Sequence, residues 1–195
     1  MQDTWKSLSL CKNIAIMRNL VFFLLLSFLL GTAQAQIDGV YDPGEAGPIP
    51  NERLVTERWY YGLKEALAAD PADVYKMSLR GNKLKKLPPE IGQLYNLQIL
   101  ILSNNKLKSL PNEIGKLKNL QELNLYKNKL ITLPESLGSL RNMEIFLASK
   151  NRIIYLPSSV RTLENLKRMD ISFNHLNPRE VEELLEALPD CMITY

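Results

Sequence analysis

Apolar residues in the second half of the chain recur at fixed offsets, with a period of 23 residues. Met77, Leu100, Leu123, Phe146 and Met169 share one phase, and Asn82, Asn105, Asn128, Asn151 and Asn174 share another. Pro88, Pro111, Pro134 and Pro157 keep the same step. One unit, Leu97 to Asn119, reads LQILILSNNKLKSLPNEIGKLKN. Leu100 and Leu102 are two apart, so they face one side of a short strand, and residues 99, 101 and 103 face the other. Equal strands from successive units should pair as a parallel sheet, about 4.8 Å apart. The asparagine falls where the chain leaves the strand. Its amide both donates and accepts, so stacked copies can satisfy turn backbone groups that would otherwise be buried unpaired. The Leu-Pro pair marks the next bend, because proline fixes φ and cannot extend a ladder.

Ile91, Ile114, Leu137 and Val160 lie three residues before Leu94, Leu117, Leu140 and Leu163. That spacing predicts a short helical or 3₁₀ return that plugs the core from the convex side. Gly92, Gly115 and Gly138 are expected to ease this return, and Arg161 replaces the glycine in the fourth unit. The same unit has Ala148 where others have leucine or isoleucine, and Phe146 is expected to fill the space.

One unit cannot bury its own apolar side. Stacking does so, and the ends then need covers. Five units are read over 74–176. A capping helix is expected over 52–73, with Val55, Trp59, Leu63, Ala66 and Leu67 inward. Asn177-Pro178-Arg179-Glu180 reads as N-cap, N1 proline and N3 glutamate of a C-terminal helix. Val181, Leu184, Leu185 and Leu188 form its stripe. Cys191–Tyr195 can add a last strand, so 177–195 reads as a helix-plus-strand cap.

These residues resemble the leucine-rich-repeat superfamily over about 74–195. The LPxxIGxLxNL flavour is similar to bacterial secreted repeat proteins and to intracellular Ras-group repeat proteins. The resemblance implies an α/β solenoid, a horseshoe whose concave parallel sheet binds other proteins. It implies no cofactor and no reaction.

Ahead of the repeats, Leu20–Leu30 is an apolar run after Arg18, followed by Ala33-Gln34-Ala35. A spanning helix needs roughly 20 apolar residues, so this pattern reads as a secretory signal peptide over 1–35, cleaved after Ala35. Translation from Met17 would give a more compact leader. The expected site is secreted, periplasmic or cell-surface; an uncleaved anchor is the alternative. Residues 36–51 read as a proline- and glycine-rich linker. Cys11 and Cys191 cannot form a disulfide in the cleaved chain, and Cys191 is expected to be a buried packing residue.

Charge adds a second picture. The net charge is only +3, yet 74–176 holds seventeen basic and seven acidic side chains between two acidic flanks. Lys83, Lys106, Lys129, Arg152 and His175 follow the motif asparagines and would stack about 5 Å apart. No phosphate loop, HExxH or EF-hand pattern occurs. His175, the only histidine, is first a repeat surface residue, so a Cys191–His175 pair is not favoured. The chain reads as non-catalytic, with no cofactor and no metal.

The expected contact face carries Lys76, Ser78, Arg80, Ile99, Ile101, Ser103, Glu122, Asn124, Tyr126, Ile145, Leu147, Ser149, Arg168, Asp170 and Ser172, with Phe173 at its edge. Apolar pairs pointing away from the core often mark a contact, though cross-strand padding would also use them. Five strands give a face of roughly 400 Å², below the about 800 Å² per partner of a standard interface. A protein or peptide partner is the first expectation, for a monomeric chain. A glycan or lipopolysaccharide polyanion on the basic ladder is the second, and an intracellular signalling scaffold is a third. Nucleic acid is the least favoured ligand.

Overall fold

The computed structural model describes residues 48–195. The expected signal peptide, Cys11 and nearly all of the linker lie outside these residues. A parallel sheet of seven strands runs in chain order: β1 (Trp59–Tyr60), β2 (Lys76–Ser78), β3 (Ile99–Ile101), β4 (Glu122–Asn124), β5 (Ile145–Leu147), β6 (Arg168–Asp170) and β7 (Met192–Thr194). The register from β2 to β6 repeats without a slip: Lys76 pairs with Ile99, Ile99 with Glu122, Glu122 with Ile145 and Ile145 with Arg168. Strict register follows from burial. A one-residue slip would turn Leu100 and Leu123, both fully buried, toward water.

The 23-residue units close through 3₁₀ turns at Pro89–Gln93, Asn112–Lys116, Glu135–Ser139 and Ser158–Thr162. Ile91, Ile114, Leu137 and Val160 point from them into one continuous core with Leu94, Leu117, Leu140 and Leu163. Phe146 and Ala148 are both fully buried there, large beside small. The architecture is the expected leucine-rich-repeat solenoid.

The asparagines do what their chemistry suggests. Asn128 Nδ2 donates to Leu102 O of the preceding unit at 2.9 Å and to Leu125 O of its own at 3.0 Å. Its Oδ1 accepts from Leu107 N at 3.1 Å. Asn105, Asn151 and Asn174 repeat these bonds onto Leu84, Leu130 and Ile153 amides. Asn82 departs from the expected ladder. It is exposed, because each asparagine reaches back one unit and the segment before Asn82 is not a repeat turn.

The glycines also act differently from expectation. Gly92, Gly115 and Gly138 have no left-handed backbone; among the described glycines only Gly81 does. They permit close stacking. A Cβ on Gly138 would lie 2.5 Å from Ser159 O and 2.4 Å from Ser159 Cβ of the next turn. Left-handed φ falls instead on Gly81, Asn104, Lys127, Lys150 and Phe173, one unit apart, and on Lys83. The amides of the four from Gly81 to Lys150 bond across to Ser103, Tyr126, Ser149 and Ser172 carbonyls. The ladder therefore fixes that turn, even where a lysine must adopt it.

The N-terminal cover is not one helix over 52–73. It is a short helix at Asn51–Thr56, β1, a second at Leu63–Ala68 and a 3₁₀ turn at Pro71–Asp73. Trp59 and Tyr60 pair with Lys76 and Met77, so the sheet is extended as well as covered. Val55, expected inward, is 80% exposed, while Leu54, Tyr60 and Ala66 are buried. A helix stripe and a helix–strand–helix passage share enough apolar positions for periodicity alone not to separate them. At the other end the helix Pro178–Ala187 is capped by Asn177, whose side chain accepts from Arg179 N. Val181, Leu184 and Leu188 face the core, but Leu185 is 39% exposed. Cys191 is half-buried against the core, and burial raises its thiol pKa.

Candidate functional site

The open face of the sheet is built from residues that alternate with core leucines. Its first row, by strand register, is Trp59, Lys76, Ile99, Glu122, Ile145, Arg168 and Met192. The second is Ser78, Ile101, Asn124, Leu147, Asp170 and Thr194. Arg80, Ser103, Tyr126, Ser149 and Ser172 follow two residues further along. Ile99, Ile101, Ile145 and Leu147 are partly exposed, so they line the face and do not join the core. A hollow of about 300 Å³ lies over the face, between Arg80, Tyr126, Leu147, Arg168 and Asp170.

The polar groups on this face differ in how far they are committed. Asp170 accepts from Ser149 Oγ at 2.8 Å, from Ser172 Oγ at 2.7 Å and from Ser172 N at 3.1 Å. Asn124 Oδ1 accepts from Tyr126 N at 3.1 Å. Lys76 is buried, unlike its neighbours in the row. Its Nζ donates to Val55 O at 3.2 Å and lies 5.3 Å from the Trp59 ring. It is therefore a fastening of the N-terminal cover and not an open contact residue, contrary to its strand position. Glu122 is half-buried, and burial raises its pKa above the ordinary carboxylate value, a rise that the Arg168 guanidinium partly opposes.

A raised pKa means the fold favours the protonated acid. The group's contribution to stability is present below its ordinary pKa and is lost as pH rises through the raised value. Glu122→Gln stays neutral, so it should lose less stability than the parent as pH rises from the ordinary carboxylate value upward. Urea midpoints measured across that rise check it; an identical pH slope in both proteins would contradict it.

Phe173 lies off the strands, on the left-handed turn after β6, and is 74% exposed. Lys150 Nζ joins it to the face, lying 5.4 Å from both the Tyr126 and the Phe173 rings. The basic ladder runs along the adjoining turn. Lys83, Lys106, Lys129, Arg152 and His175 are all exposed. The amides of the last four each donate to the preceding unit, at Leu84, Leu107, Leu130 and Ile153 carbonyls, which holds their side chains in line. Lys83 lacks that bond and has φ 58°. None of the five enters an ion pair among the described residues.

Two face residues escaped sequence reasoning. Trp59 and Tyr61 stack with ring centroids 6.4 Å apart beside the first row. Alternation in Trp59-Tyr60-Tyr61, a run of strand-favouring aromatics, was the available signal. It was masked because Trp59 lies 17 residues before Lys76 and not a full period. With β1 and β7 the face grows to roughly 550 Å². Among the described residues no group of three acidic, histidine or cysteine side chains could hold a metal. No helix among them is long and apolar enough to cross a membrane.

Among the described residues, an open parallel sheet edged by stacked turns, covered only at its N-terminal end, defines a solenoid repeat protein. A leucine-rich repeat region model matches residues 76–191, and the chain belongs to the leucine-rich repeat family. Proteins of this fold are typically non-enzymatic and generally serve as protein-interaction modules. The Leptospira interrogans LRR protein LIC12759 is 36% identical, with TM-score 0.57, over 63% of this chain and 30% of that one. TLR13, solved in complex with ssRNA13, is 25% identical with TM-score 0.58 over 68% of this chain and 20% of that one. The LRR ectodomain of the Arabidopsis thaliana receptor kinase SOBIR1 is 25% identical with TM-score 0.51, over 62% and 67%. The chain thus spans less than a third of the first two. No curated protein matches it.

Proposed function

We propose that this chain binds a protein or peptide on the open sheet face and performs no reaction there. The observation that carries the reading is the set Ile99, Ile101, Ile145 and Leu147: four branched apolar side chains on the solvent side of the sheet, at register positions that flank Glu122 and Asn124. Apolar side chains grouped on a solvent face mark contact surfaces, and Tyr126 adds the kind of aromatic anchor that dominates such interfaces. The area suits a peptide or loop more than a broad domain contact. The proposal includes export, supported by Leu20–Leu30 and Ala33-Gln34-Ala35; N-terminal sequencing of the secreted form, expected to begin at Gln36, tests it.

Peptides selected from a displayed random library against the full chain test the binding. Leu147→Asp and Ile101→Asp should each weaken the selected peptides at least tenfold, measured by calorimetry, with thermal unfolding little changed because both side chains reach solvent. Peptides indifferent to both substitutions would refute the reading.

A second reading rests on the five aligned, unpaired basic side chains beside the sheet. It takes a polyanion such as a sulfated polysaccharide. It expects binding to fall steeply with salt and to vanish when Lys83, Lys106 and Lys129 become glutamate. Salt-independent binding of heparin, or none, would remove it.

A further inference from the structure

We infer that the open face receives a lysine or arginine side chain of an extended polypeptide, its cationic head on Glu122 and its aliphatic stem between Ile99 and Ile145. The inference rests on the sheet face being the docking surface and names what docks there. Glu122 pairs in register with Ile99 on one side and Ile145 on the other. Neighbouring strands are about 4.8 Å apart, so the carboxylate stands between two branched apolar walls. A basic side chain has the matching form, a hydrocarbon stem that buries against apolar surface and a charged end.

The two acids of the face are not equivalent. Asp170 is already engaged by Ser149 and Ser172. The Glu122 carboxylate has no hydrogen bond or ion pair among the described residues, and the charge of Arg168 acts on it without contact. A half-buried carboxylate without a donor is costly when ionised, and a guest cation removes that cost. A neutral or acidic guest would instead strip its remaining water.

The other charges in the row do not oppose this. Lys76 is covered by Val55 and Trp59. Arg168 is exposed and two strands away; its charge acts on Glu122 through solvent-screened space and does not form an ion pair with it, so the carboxylate stays open to a contacting cation. Asn124, two residues along, uses its Oδ1 on the Tyr126 amide. Its Nδ2 hydrogens have no acceptor among the described residues, so they can donate to a main-chain carbonyl of the guest.

The test uses the peptides selected on the full chain whose binding Leu147→Asp weakens. They should carry a lysine or arginine at one shared position. Replacing that residue by norleucine should weaken binding at least tenfold to the parent protein but less than twofold to Glu122→Gln, whose fold is checked by circular dichroism. Face-binding peptides with no shared basic residue, or equal losses in both proteins, overturn the inference and leave the face itself standing. A selection that yields no peptide sensitive to Leu147→Asp overturns the face, and the inference with it.

Discussion

Asn128→Ala should lower the unfolding free energy by about 4 kcal/mol, while Asn82→Ala should change it by no more than about 0.5 kcal/mol. The two residues occupy the same phase of the repeat, and sequence alone makes them equivalent. In the structure Asn128 is buried and holds Leu102 O, Leu125 O and Leu107 N. Alanine strands the Leu107 N–H, at about 1–3 kcal/mol, and removes one of the two asparagine donors from Leu102 O and from Leu125 O, which keep Asn105 and Asn151, at about 0.5–1.5 kcal/mol each. Solvent entry recovers part of this, which sets the expected sum below the maximum. Asn82 is exposed and its removal strands nothing. Urea denaturation of both variants decides the matter. Similar losses at the two sites would mean that the asparagine acts through local turn preference and not through the unit behind it.

Gly138→Ala is expected to cost about 3 kcal/mol, the upper end for inserting one carbon into a closed contact. The added Cβ would overlap Ser159 O, at 2.5 Å, and Ser159 Cβ, at 2.4 Å. Ser159 sits in the turn Ser158–Thr162, which is bound into the stack through Val160 and Leu163, so it cannot move without opening the core. The next unit supplies the control. Arg161 stands at the corresponding place, and the neighbour there is the helix Pro178–Ala187, not another 3₁₀ turn. Arg161 Nη2 donates to Glu183 Oε2 at 2.7 Å across that junction. Arg161→Ala should therefore cost no more than about 1 kcal/mol, as a partly exposed ion pair does. Thermal melts of the two variants, read together, test this. A harmless Gly138→Ala would show that the turns stack less tightly than the contact implies.

The arginine at 161 shows how a repeat sequence records its own end. The glycine is lost at the unit whose outer neighbour changes from turn to helix, and the departure was visible before its reason was. The reason is a contact with residues 22 positions away, which no local pattern contains. The same holds for Lys76. Its strand position puts it on the open face, and only the placement of Val55 and Trp59 buries it. Conversely, Ile101 and Leu147 were assigned to the outer face by alternation alone, and they lie there, because the period of two in a strand leaves no other choice once Leu100 and Leu102 are inside.

By itself the sequence determined the inner repeats: which of their side chains enter the core, which face solvent, their parallel register and their asparagine bonds. Those features are periodic and local, and one unit contains all the information the next one needs. Tertiary structure decided the ends, the burial of Lys76, the glycine contacts and the isolation of Glu122 between two isoleucines. Each depends on what lies beside a unit, and at the N-terminal end the neighbour follows no period. A pattern can state what each copy presents, but only the assembled stack determines what that copy meets.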